Sequence, residues 1–139
     1  MANDSKSEKL RRLVNVQRQL EKLAEFELSQ SISRQAEVMT SIVSTITAIS
    51  SVDPLHKQFA RNYSDRLTRL FTRSQQIAMQ QQIQEGKVLK EKTKGDRLEE
   101  RRKDASLAEE RLSEDERMYD LVDLGLLMAT PASSKLDDT

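Results

Sequence analysis

Cysteine is absent from the chain, which excludes disulfide staples and thiolate metal sites. Tryptophan is absent too, and aromatic residues make up only 4% of the 139 residues, too few for the core of a compact globule of this length. The three glycines stand alone at 86, 95 and 125, so no glycine-rich loop is available to cradle a phosphate. Neither sign of charge is in excess. The 23 Lys and Arg balance the 23 Asp and Glu, which argues against a general nucleic-acid binder or a protein that grips anionic membranes. No apolar run approaches the roughly 20 residues of a membrane span. The opening residues Met1-Ala2-Asn3-Asp4-Ser5-Lys6 are polar and give no sign of a signal peptide. The expectation is a soluble, cytoplasmic protein of one domain, with no direct membrane insertion.

What the chain does have is helix. One third of its residues are charged, and Ala, Glu, Lys, Leu, Arg, Gln and Ser dominate, the composition of long helices packed side by side. Pro54 is the only proline before Pro131. Proline is welcome at the first position of a helix and costly in its interior. Asp53 before it can cap a new helix, while Ser50 and Ser51 compete for backbone hydrogen bonds and help end the preceding one. The spacing therefore predicts two helices, over about 6–50 and 54–128, joined by a turn at 51–53. Polar tails at 1–5 and 129–139 read as disordered. Ser5 or Asp4 can start the first helix, with Glu8 placed to complete a capping box. The fold class is all-α, an antiparallel coiled-coil hairpin whose second helix is the longer.

In the first helix Leu13, Val16, Leu20 and Leu23 alternate three and four apart. A second stripe, Leu28, Ile32, Gln35, Met39, Ile42, Ile46 and Ile49, does the same out of phase, joined to the first by a stutter. The second helix carries a strict heptad row, Tyr63, Leu70, Ile77, Gln84, Glu91, Leu98, Ala105, Leu112, Tyr119 and Leu126. Gly86 and Gly95 weaken its middle, each by about 1 kcal/mol. A hairpin folded about Val52 pairs residue i with about 104 − i. Ile42, Ile46, Phe59 and Tyr63 would then pack together, and the second helix would overhang by roughly 30 residues at 1.5 Å each. Uncovered apolar positions there call for a partner.

Chemistry is sparse. His56 has no companions for metal binding or acid–base work, and a pair of helices has no cleft to perturb a carboxylate. No catalytic, metal-binding or cofactor-binding residue is expected. Between His56 and Ile83 stand five basic residues, Lys57, Arg61, Arg66, Arg69 and Arg73, and one acid, Asp65, which make either a solvated face or the footprint of an acidic partner. Phe71, off the heptad row, either widens the seam or anchors a partner.

Two stretches resemble the FliJ-like family of flagellar and type III export proteins, small antiparallel coiled coils of similar length. They are Lys9-Leu-Arg-Arg-Leu-Val-Asn-Val-Gln-Arg-Gln-Leu-Glu-Lys-Leu-Ala-Glu-Phe-Glu-Leu28, and Asp96-Arg-Leu-Glu-Glu-Arg-Arg-Lys103 with Glu109-Glu-Arg-Leu112 and Met118-Tyr-Asp-Leu121. The resemblance implies a non-enzymatic stalk of a hexameric export ATPase that also contacts the membrane export gate and escorts export chaperones. Such a protein sits peripherally at the inner-membrane export apparatus. It places the ATPase-facing residues at the open end, Arg11, Arg12, Arg101, Arg102, Leu112, Tyr119 and Leu126, and gate-facing residues at Phe71, Arg66, Arg69 and Arg73. The alternatives are a scaffold forming a homo-oligomeric helical bundle and an export chaperone for one secreted partner.

Overall fold

The computed structural model describes residues 4–134, which form three helices: α1 (Lys6–Ile49), α2 (Pro54–Gln58) and α3 (Ala60–Ser134). There is no strand among the described residues. α1 and α3, of 44 and 75 residues, pack against each other. Ser5 begins α1, its Oγ accepting from the Glu8 amide at 3.3 Å. α1 ends where Ser51 turns away, with the Ser51 amide bonded to the Ala48 carbonyl and Ser51 Oγ accepting from the Asp53 amide. Asp53 then caps α2 by accepting from the Leu55 amide at 3.0 Å, with Pro54 behind it in the first turn.

The return arm does not run as one helix over 54–128. It breaks at Phe59, whose backbone leaves the helical region (φ −103°, ψ 10°) and whose amide bonds back to His56 and Lys57. His56 and Phe59 meet the Tyr63 ring at centroid distances of 5.9 and 6.4 Å, and His56 Nδ1 lies 3.1 Å from the Tyr63 hydroxyl. This aromatic corner ties α2 to the start of α3. From Ala60 the helix continues through Gly86 and Gly95 to Ser134, beyond the end expected near Met128. The remainder of the two expected tails, 1–3 and 135–139, lies outside the described residues.

The chain forms two compact units, one of residues 15–96 and one of residues 4–14 with 97–134. The first is a helical hairpin whose arms run antiparallel. Gln17 meets Glu91, Ser31 meets Gln84, and Gln35 meets Ser74. Its apolar cluster is Val38, Ile42 and Ile77 with Leu67 and Leu70 packed on it. The register is shifted from the expected one, on which Gln17 would face position 87 and Ser31 position 73. The turn and α2, which buries no residue, consume chain on the return side, so pairing begins only near Tyr63. Ile42 therefore joins Val38 and Ile77 in the cluster that Leu67 and Leu70 pack against, while Ile46 and Phe59 stay exposed.

The buried face of α1 also differs from the expected one. Burial follows Val14, Gln17, Ala24, Ser31, Val38, Ile42 and Thr45, with half-buried Glu21, Leu28 and Gln35 between them. This row alternates three and four without a stutter. Leu13, Val16, Leu20 and Leu23 face solvent, Leu20 at 45% exposure. α3 buries or half-buries Leu67, Leu70, Ser74, Ile77, Gln81, Gln84, Val88, Glu91 and Gly95 in the same unbroken phase. A stuttered stripe would drift out of step with that row. The in-phase face wins although it is more polar.

Its polar groups are matched. Fully buried Ser31 donates to Gln84 Oε1 at 2.5 Å. Gln17 Nε2 donates to both the carboxylate and the carbonyl of Glu91. Thr45 donates to the Ser41 carbonyl one turn back. Gln35 Oε1 is the exception, buried without a partner. At Gly95 a β-carbon would meet the tips of the Glu21 and Arg18 side chains, which would have to shift to admit it. Arg18 bridges Glu21 at 2.7 Å and Asp96 at 3.2 Å, and both acids raise its pKa, Asp96 the more strongly.

Candidate interaction surfaces

In the unit that holds the helix ends, the start of α1 is capped twice. Ser5 supplies the local cap, and Glu109 of α3 supplies a second, accepting from the Ser7 amide at 3.0 Å and the Ser7 hydroxyl at 2.5 Å. A carboxylate there also meets the positive end of the helix dipole. The Ser7 hydroxyl, then the Ser7 amide, hold the Glu109 pKa below its ordinary value. Beside this cap Lys6 and Leu10 line a groove with Arg101, Asp104, Ala105, Ala108, Glu109 and Leu112.

Beyond Glu109 every described side chain of α3 from 110 to 129 is exposed. The overhang is therefore shorter than expected, because α1 reaches Glu109 instead of stopping near position 99. The heptad row continues along it as Leu112, Tyr119 and Leu126, 63–72% exposed. Interleaved at the companion seam positions stand Glu116 and Asp123. Glu110, Glu114, Asp115 and Asp120 add to them against Arg111 and Arg117, so the apolar row is set among acids as far as Asp120, and beyond it Leu121, Val122, Leu124, Leu127 and Met128 are exposed off the row as well.

The other expected contact residues at this end are divided. Arg12 pairs with Asp4 at 2.5 Å and Arg11 is exposed beside it. Arg101 lines the groove, but Arg102 is half-buried in the seam and bound to Glu99 through Nε and Nη2 at 2.9 and 2.6 Å. Arg102 is thus held by its own helix, and Glu99 raises its pKa. Arg101 is the one of that pair that faces outward.

In the hairpin unit, Phe71, Arg66, Arg69 and Arg73 do not form one surface. Glu27 and Lys87, each immediately preceding a seam residue, meet at 3.4 Å, which identifies that flank as common to both helices. Arg66 and Arg73 also precede seam residues, Leu67 and Ser74, and lie on it. Arg66 borders a shallow hollow there with Ser41, Ser44, Ala48, His56 and Tyr63. Phe71 follows the seam residue Leu70 and lies on the opposite flank, with residues of α1 that likewise follow seam residues: Ile32, Met39 and Ile46. Sequence reading missed this flank because its members were assigned to the buried stripe.

Among the described residues no three Asp, Glu or His side chains are grouped to hold a metal, and no helix is long and apolar enough to cross a membrane. No family model, curated protein or solved structure matches the chain.

Proposed function

We propose that the protein is a non-enzymatic antiparallel coiled coil of a flagellar or type III export apparatus, acting as the stalk of the hexameric export ATPase. In that reading it also contacts the export gate and escorts export chaperones. The observation that carries it is the overhang, a length of helix on which the apolar row Leu112, Tyr119 and Leu126 continues exposed to solvent. Apolar residues on such a row supply affinity, and the charges around them supply orientation and reversibility. Arg101 and Arg11 border the same end. The resemblance of Lys9–Leu28 and Asp96–Leu121 to the FliJ-like family supplies the partner's identity.

The test is ATP turnover by a flagellar export ATPase with and without the chain, comparing full-length protein with a form ending at Leu112. That end point keeps Glu109 on the first turn of α1, which an earlier cut would remove. Full-length protein is expected to stimulate turnover or ring assembly, and the shortened form to lose the effect at unchanged helicity per paired residue. Equal stimulation by both forms overturns the assignment of the overhang.

A further inference from the structure

In a chain one third charged, one flank of the hairpin unit carries no charge over most of its length. On α1 it comprises Ser29, Ile32, Ala36, Met39, Val43 and Ile46, each following a seam residue. The two charges of that stretch, Arg34 and Glu37, stand on the opposite flank. On α3 the same flank presents Ser64, Thr68, Phe71, Gln75, Ala78 and Gln82. Surfaces depleted of charge and enriched in Met, Phe and Ile are the composition of interface cores. Solvated helix faces, by contrast, carry Glu, Lys and Arg.

The apolar residues of this flank have an order of their own. Ile32, Ala36, Met39, Val43 and Ile46 are spaced four, three, four and three apart. They form a second seam on α1 beside the one that faces α3. Four of them are large and open to solvent, Met39 at 48% and Val43 at 59% exposure. The seam extends about 22 Å at 1.5 Å per residue.

We infer that this second seam is covered by the same seam of a second copy of the chain, the two α1 helices crossing antiparallel on a two-fold axis at Met39. The row is complementary to its own reverse. Met39 meets Met39 on the axis, Ile32 meets Ile46 at each end, and small Ala36 stands opposite the larger Val43. Large facing small is what lets helices close together. A two-fold interface requires one patch that fits itself, and this patch has no charge to repel its copy or to select a charged foreign partner. Glu37 and the three arginines, on the other flank, stay clear of the contact. The overhang is not involved, so the inference stands independently of the export reading.

Light scattering on the full chain tests it. The expected mass at about 100 µM is twice the 16.0 kDa of one chain, falling to one chain's mass for Met39→Lys and for Ile32→Lys, with circular dichroism unchanged. Arg69→Glu, on the opposite flank, should keep the doubled mass. Because the chain has no native cysteine, Met39→Cys supplies a geometric check. Oxidation should cross-link it to a covalent dimer at least tenfold faster than Arg69→Cys, since only a residue on the axis brings two copies of itself within disulfide reach. A single-chain mass for the unaltered protein, a doubled mass that survives both lysine substitutions, or equal cross-linking of the two cysteine variants overturns the inference.

Discussion

Two side chains illustrate how polar groups are handled in the seam. Gln35 donates to the Ser74 hydroxyl at 2.9 Å but leaves Oε1 buried and unpaired. An unpaired buried acceptor costs about 1–3 kcal/mol. Gln35→Leu removes it and adds apolar burial beside Val38, at the expense of one bond to a half-exposed serine. Urea unfolding should show a gain of about 1–2 kcal/mol. Glu109 is the opposite case, a carboxylate whose bonds are made and whose pKa lies below its ordinary 4.5 because of Ser7. A group depressed in the folded state stabilises above its unfolded pKa and loses that contribution as pH falls through the folded one. Glu109→Gln should therefore melt below the parent protein at pH 7. The gap should stay constant down to about pH 5 and narrow as pH falls through and beneath 4.5. A gap that does not change with pH would mean that the carboxylate charge does not matter.

At the level of the element, α3 tolerates two interior glycines for different reasons. Nothing lies within 4 Å of a β-carbon at Gly86, whereas one at Gly95 would displace Glu21 and Arg18. Gly86→Ala should raise stability by about 0.5–1 kcal/mol, the ordinary helix-propensity difference. Gly95→Ala makes the same propensity gain but must open the Arg18–Glu21–Asp96 cluster. It should fall short of Gly86→Ala in a thermal melt, and equal gains would show that the close approach at Gly95 is unimportant. The break at Phe59 belongs to this scale as well. It lets α2 act as a separate one-turn element, and that is what displaces the pairing of α1 with α3 from the expected register.

For the molecule as a whole, the structure separates residues that hold the helices together from residues that face outward. Every described side chain from 110 to 129 is exposed, so ending the chain at Leu112 removes no buried group. The melting temperature of the shortened form should lie within a few degrees of the full-length value, about 4–8 °C being the shift for each 1 kcal/mol in a domain of 60–100 residues and about 2–4 °C in one of 150–250. A larger fall would mean that the overhang folds back on the paired region.

Much of the architecture was legible in the chain. Pro54 and Asp53 mark the turn because a fixed φ and a free carboxylate suit a helix start and little else. Ser5 marks the start of α1 for the same capping reason. The row from Tyr63 to Ala105 marks the inner face of α3 because seven-residue spacing leaves no other face continuous. The exposed row Leu112, Tyr119 and Leu126 was also readable, since it prolongs that spacing. The face of α1 was not. Its most apolar stripe, Leu13 to Leu23, points outward, and its second stripe is split. Leu28, Gln35 and Ile42 line the seam, while Ile32, Met39 and Ile46 lie outside it. Hydrophobicity alone could not choose between these faces. The choice rests on staying in phase with α3 and on small residues, Ala24 and Ser31 on α1 and Gly95 on α3, along the buried row. It rests too on polar pairings such as Gln17 with Glu91, which exist only once the two helices are side by side. Composition and spacing determined that two long helices would form and where the chain would turn. Tertiary structure decided their register, which face of α1 is buried, and which apolar rows stay exposed, because each depends on the phase of one helix against the other.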